Sequence, residues 1–228
     1  MPYARRDLAR VSALCVLMVL CGTQASSQAQ SQAGVDPVGS HLLAMGKPGA
    51  SIAVAREKVL AILQSENSCS AWFREADPNA AEIFCSLEFA LDRDGPGSIS
   101  GLMSNSGGML FKQPYSARVR EYAGRHAVIT LNANGPFFRD ASPVLRQRGI
   151  GSSLAPSGWA VLKVGTYEGN TLRAQMTTLL HELGHVVGRL PEDFDELSGQ
   201  SSRNTAQVLR FCRAEIKRST RKGRHPEM

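Results

Sequence analysis

The segment NTLRAQMTTLLHELGHVVGRLPEDFDE, residues 170–196, restricts this chain more than any other part of it. Its apolar positions Leu172, Met176, Leu179, Leu183, Val186 and Leu190 recur every three or four residues, which predicts a helix with a continuous buried stripe. Asn170 can cap that helix, Gly188 can close it in a left-handed conformation, and Pro191 prevents its continuation. His181 and His185 then fall one turn apart on a neighbouring face, with Glu182 between them. Three ionisable groups beside an apolar stripe are costly to bury, and metal binding is the purpose that justifies them.

Zinc requires nitrogen donors whose lone pairs converge within about 2.1 Å of one point, and two imidazoles at i and i+4 of one helix achieve this. His181 and His185 are therefore the expected metal ligands. Glu182 projects beside them, where a carboxylate can hold a water, take its proton and later return it to a leaving amine.

The run TLLHELGHVVG resembles the active-site helix of the zincin metallopeptidases over about twenty residues. The resemblance implies a zinc-dependent peptidase whose substrate lies extended along an edge strand above the helix. HAVITLN (126–132) and GWAVLKVG (158–165) are the candidates for that strand. The chain departs from the named clans at the third ligand. Metzincins place a His or Asp where Pro191 stands, gluzincins use a glutamate at a spacing for which Glu215 is far and Glu192 and Glu196 are near, and the aspzincin pattern Gly-Thr-x-x-Asp is absent. A looser resemblance joins HELGH, Pro191-Glu192-Asp193 and SSRNTAQVLRFC to a group of small exported bacterial proteins with a nearby Pro-x-Asp and a final Asn-Thr helix carrying a cysteine. Asp193 is accordingly the expected third ligand, brought back beneath the helix by a reversal after Gly188 that Pro191 stiffens. Asp195 has the same chemistry and slightly longer reach, and Asn204 offers only a neutral oxygen, weak for zinc.

The N-terminus reads as a secretory signal, residues 1–25: Arg5, Arg6 and Arg10, an apolar run from Val11 to Leu20, then small polar residues with Thr23-Gln24-Ala25 as the cleavage site and Ala29 or Ala33 as later options. The run falls far short of the roughly 20 residues that span a bilayer. Cys21 raises a lipoprotein alternative, but Leu20 stands where a lipobox takes a small residue. Export leaves Cys69, Cys85 and Cys212, for which one disulfide and one thiol are expected. We expect Cys69 to pair with Cys212, with Cys69–Cys85 as the rival bridge. The formal charge of +6 invites a nucleic-acid reading. Three of those arginines leave with the signal, and the remaining basic run near the C-terminus lacks interleaved aromatics, so no nucleic-acid partner is expected.

Residues 26–50 read as a flexible Ser/Gln/Ala/Gly lead-in, 51–216 as one domain and 217–228 as a basic tail. Helices are expected in VAREKVLAILQ (54–64), DPNAAEIFCSLEFALD (77–92) and NTAQVLRFCRAEI (204–216), with Cys69 in the turn between the first two. Residues 95–108 read as a loop or an irregular strand pair, and the alternation in the two strand candidates predicts a small sheet. His41, His126 and His225 read as incidental, and Tyr167 and Lys163 as loop residues that could donate to an oxyanion. The expected protein is an α+β, zincin-like single domain: an exported, monomeric zinc metallopeptidase with a peptide or protein substrate and no stable membrane insertion. The alternative is a non-catalytic exported binding protein with a structural zinc. A closed set of four ligands would favour the latter and an open set of three the former.

Overall fold

The first helix begins earlier than the composition suggests. The computed structural model describes residues 37–103, 107–149, 152–193 and 199–221. The signal-peptide expectation, Cys15, Cys21, Asp195, Glu196 and His225 lie outside these described residues. In chain order the elements are α1 (Pro37–Ala44), α2 (Lys47–Gln64), α3 (Ser68–Arg74), α4 (Ala80–Cys85), β1 (Glu88–Asp92), β2 (Ile99–Met103), β3 (Met109–Lys112), β4 (Ala117–Arg118), β5 (Val128–Asn132), β6 (Ala141–Gln147), β7 (Leu154–Val161), β8 (Lys163–Val164), β9 (Tyr167–Glu168), α5 (Leu172–Val186) and α6 (Gln200–Ser219). The domain is α+β, and these residues form one compact unit. None of the described helices is long and apolar enough to cross a membrane.

Residues 37–44 and 47–50, expected in the flexible lead-in, are helical instead. Leu42 is buried, and a Cβ at Gly49 would collide with the Leu42 carbonyl, so glycine there permits α1 and α2 to pack closely. The buried positions Ile52, Ala55, Val59, Ile62 and Leu63 give α2 its inward face. Cys69 lies in α3 rather than in a turn, because Asn67 and Ser70 form a reciprocal cap that starts a new helix: the Ser70 N–H donates to Asn67 Oδ1 (2.9 Å) and the Asn67 N–H to Ser70 Oγ (3.2 Å).

The helix expected over 77–92 stops at Cys85, and Glu88–Asp92 is strand. Its parallel partner β5 decides this, pairing Glu88 with Val128 through to Asp92 with Asn132 and burying Phe89 beside Ile129 and Leu131. Beta-structure falls into three small sheets, ordered β1-β5-β4, β3-β2-β6-β7 and β8-β9. β5 is therefore a central strand, which removes HAVITLN as the edge strand above the site; β4 takes the edge. The other candidate, GWAVLKVG, divides between β7 and β8, and the Gln113 side chain occupies the Lys163 N–H (3.0 Å) and C=O (2.8 Å).

One core joins the helices to the first sheet, while Ile99, Val144 and Leu162 form a separate small cluster under the second. α6 is longer than expected and runs to Ser219, past the domain boundary drawn at 216. It buries Val208, Leu209, Cys212 and Ile216, and Phe211 stacks on Trp72 with ring centres 5.0 Å apart. Cys212 is bonded to Cys69 across a sequence separation of 143, whereas Cys85 is an exposed thiol. In a chain-entropy model a loop of that length is worth about 5 kcal/mol, and measured losses run at about 2–5 kcal/mol. We expect Cys212→Ser to lower Tm by roughly 5–15 °C, using about 2–4 °C per kcal/mol for a domain of this size. Non-reducing peptide mapping should return a Cys69–Cys212 linked peptide with Cys85 alkylated; a Cys69–Cys85 peptide would contradict the pairing.

Candidate metal centre

Helix α5 is buried along its whole working length, from Ala174 to Val186. Its cap is Thr171, whose side chain accepts from the Ala174 N–H (3.3 Å), rather than Asn170, which sits at φ 56° and donates its N–H to the Pro136 carbonyl (2.8 Å). His181, Glu182 and His185 are consequently only 7%, 4% and 5% exposed.

The chain reverses directly after this helix. Gly188 adopts φ 67°, as its position predicts, and the Arg189 and Leu190 N–H groups both donate to the Gly184 carbonyl (2.7 and 3.1 Å). Leu190 then packs on Gly184 so closely that a Cβ there would meet its side chain at 2.5 Å. The glycine of the HELGH run is thus what allows the chain to fold back. Two further contacts hold the returning segment: Arg189 pairs with Glu75 (2.6 Å) and lies over the Trp72 ring, and the Asn204 amide donates to the Pro191 carbonyl (2.8 Å).

This reversal delivers Asp193 to the histidines. His181 Nε2 lies 2.9 Å from Asp193 Oδ2, His185 Nε2 lies 3.4 Å from Asp193 Oδ1, and the two Nε2 atoms are 3.0 Å apart. For a tetrahedral ion with bonds of about 2.1 Å, ligand atoms sit roughly 3.4 Å apart, and one donor atom from each of the three residues lies within 4.8 Å of the others, a grouping that could hold a metal ion. The donor chemistry points the same way. His181 Nδ1 bonds Thr205 Oγ1 (3.0 Å), and the tautomer that donates there leaves Nε2 as a lone pair facing a second imidazole nitrogen and a carboxylate oxygen. Converging electron pairs repel unless a cation, a proton or a metal ion, lies between them.

Thr205 and Asn204 hydrogen-bond to this group, contacts that spacing alone did not reveal. The Asn204 amide donates to Asp193 Oδ2 (3.2 Å) as well as to Pro191, and its own carbonyl accepts from Gln200 (2.8 Å). The start of α6 therefore orients two of the three donors, one imidazole and the carboxylate, while Asn204 itself acts as a donor rather than as a ligand. The adjacent Asn-Thr pair at the start of an amphipathic helix was the available signal.

Burial pulls the Asp193 carboxyl upward, but hydrogen bonds and charge from His181 and His185 outweigh it and hold the group well below the usual carboxylate range. Burial opposes charge on His185, yet Asp193, Glu182 and Glu121 together raise it above its ordinary value. Burial drives Glu182 upward against the pull of both imidazoles. The Glu182 carboxylate makes no hydrogen bond or ion pair among the described residues, although its side chain borders a cleft of about 840 Å³.

That cleft is lined by His181, Glu182, His185, Asp193 and Thr205 on one side and by residues 111–119 on the other. Lys163 and Glu192 also line it, whereas Tyr167 is buried in the core. His41 bonds the Phe89 carbonyl (3.1 Å), and the His126 N–H bonds Ser86 Oγ (3.3 Å), both outside the donor group. Glu215 pairs with Arg218 (2.7 Å). Among the described residues no fourth His, Cys, Asp or Glu joins the group.

Asp193→Ala should weaken zinc binding more than Asn204→Ala or Thr205→Val, whose expected losses are about 10–100-fold as outer partners; Asp195→Ala should leave it unchanged. Loss on Asp195→Ala with none on Asp193→Ala would move the ligand. Affinity should also depend on pH with a definite sign. His185 must be neutral to bind, so affinity is full above its raised pKa and lost as pH falls through that value, beginning above the ordinary imidazole range of about 6.5. Titration calorimetry across pH, with a decline confined to pH below that range, would contradict the assignment.

No family model, no curated protein and no solved structure matches this chain, so the chemistry of the centre has to be argued from its own geometry.

Proposed function

We propose that this chain is an exported zinc-dependent peptidase of zincin type, in which His181, His185 and Asp193 hold the metal and Glu182 is the general base. The observation that carries this reading is Glu182, whose carboxyl group lines the cleft beside an open set of three donors and makes no hydrogen bond among the described residues. A structural zinc would take a closed set of four donors, and the described residues supply three.

Zinc bound there would supply Lewis acidity, lowering the pKa of a water to about 7 and polarising a peptide carbonyl. The protein's own residues do the rest. Glu182, fixed on a buried helix at the cleft wall, accepts the proton of the attacking water and returns it to the departing amine. Thr205 and Asn204 keep His181 and Asp193 from rotating out of place.

The strand β4 supports an extended substrate. The Asn132 N–H donates to the Ser116 carbonyl (3.1 Å), which makes 116/132 and 118/130 the hydrogen-bonded pairs and turns the Ala117 N–H and C=O away from β5. Ala117 lines the cleft, where that outward edge can pair with a peptide backbone. Export is supported by the Cys69–Cys212 bond, since structural disulfides persist in oxidising compartments.

Zinc-loaded wild type should cleave members of a peptide library, and Glu182→Gln should retain its zinc while kcat falls by about 10²–10⁴-fold. Equal cleavage by both proteins would remove Glu182 from the mechanism.

A further inference from the structure

The cleft wall opposite the metal group is fastened to helix α5 at two points. Ser116 Oγ and Thr178 Oγ1 lie 2.8 Å apart, one hydroxyl donating to the other, and the Tyr122 N–H donates to the His185 carbonyl (3.1 Å). Among the described residues these are the hydrogen bonds that join residues 113–122 to α5, and their helix ends, Thr178 and His185, bracket His181 and Glu182. The Tyr122 bond is made by the backbone in the turn after β4, where Tyr122 adopts φ 52° and its ring lies against Gly188. The other bond is made by two side chains that both line the cleft.

Thr178 is 2% exposed and stands one helical turn before Glu182, on the same face of α5. A threonine inside a helix ordinarily donates back to the carbonyl four residues earlier, as the adjacent Thr177 does to Arg173 (2.8 Å). Thr178 bonds to another element, through Ser116. The half-buried Ser116 accepts the Asn132 N–H on its own carbonyl (3.1 Å), and it directly precedes Ala117, whose N–H and C=O face away from β5. A short path therefore runs from the backbone edge that a substrate would pair with, through Ser116 and Thr178, to the turn of α5 that carries Glu182. Apolar packing is non-directional and tolerates sliding, whereas a hydroxyl pair fixes both distance and direction.

Resting on the peptidase reading, we infer that Ser116 and Thr178 are a positioning pair, whose hydrogen bond sets the register between a peptide held on Ala117 and the base Glu182. Neither hydroxyl bonds His181, His185 or Asp193. A misplacement of about 1 Å costs about 10²-fold in rate, and loosening by part of that distance costs about tenfold. The backbone pairing that grips the peptide along β4 survives the loosening, so the loss falls on kcat rather than on KM.

The test compares full-length, zinc-loaded wild type with Thr178→Val, Ser116→Ala, the double variant and Thr178→Ser on peptides that wild type cleaves. Each of the first three should lose about tenfold in kcat, with KM within about twofold of wild type. Thr178→Ser keeps a hydroxyl and should recover most of the rate. The double variant should lose no more than the larger single loss, since either change removes the same bond. Zinc affinity by titration calorimetry, and anisotropy of a labelled peptide on the Glu182→Gln background, should both stay within about twofold when Ser116→Ala or Thr178→Val is added. Wild-type kcat in Ser116→Ala overturns the inference, as do additive losses in the double variant, a loss carried by KM and peptide affinity, or a loss that follows zinc affinity. If Thr178→Val alters the circular dichroism spectrum, Ser116→Ala, at a half-buried position, decides by the same criterion. Cleavage by wild type matched by the variants defeats the positioning pair alone. Failure of wild type to cleave any peptide defeats the peptidase reading, and this inference falls with it.

Discussion

Helix α5 is buried from Ala174 to Val186, meeting open space only at the cleft, and that burial forces the rest of the arrangement. A helix buried so completely carries His181, Glu182 and His185 into surroundings where bare charge is expensive. The two imidazoles are matched by Asp193, and the match requires the chain to turn back within a few residues of the helix end. Gly188 supplies the left-handed turn, Gly184 the space for Leu190, and Asn204 the donor that fixes both Pro191 and Asp193. These three residues hold the position of Asp193 relative to the two histidines without being candidate ligands themselves.

α6 links the centre to the disulfide. Its first turns hold Asn204 and Thr205 against the donors, and its middle is tied to α3 through Cys212 and through Phe211 stacked on Trp72. Arg189 closes the circuit by lying over the same Trp72 ring and pairing with Glu75. A covalent bond well away from the donors thereby limits how far the start of α6 can drift, which is how a modest α+β domain keeps a polar cluster ordered inside its core.

Much of this was legible in the sequence, for identifiable reasons. The periodicity of 172–186 is long enough to specify a helix, and Gly188 and Pro191 carry unambiguous backbone constraints. Asp193 meets the histidines because a short reversal leaves little choice of register. The failures are equally specific. LEFALD is too short to distinguish a helix end from a strand, and its identity is decided by β5, far away in sequence. The order in residues 37–50 depends on Gly49 meeting the Leu42 carbonyl, a contact that composition does not encode. The edge role of β4 rests on two paired residues, and the second sheet is assembled from strands whose partners are non-local.

X-ray absorption at the zinc edge of the loaded wild-type protein tests the central claim most directly. The account predicts one zinc per chain with nitrogen and oxygen donors at about 2.0–2.1 Å, two of them imidazole by their multiple-scattering features, and a position open to solvent. A sulfur shell at about 2.3 Å, a third imidazole or a failure to retain stoichiometric zinc would contradict it.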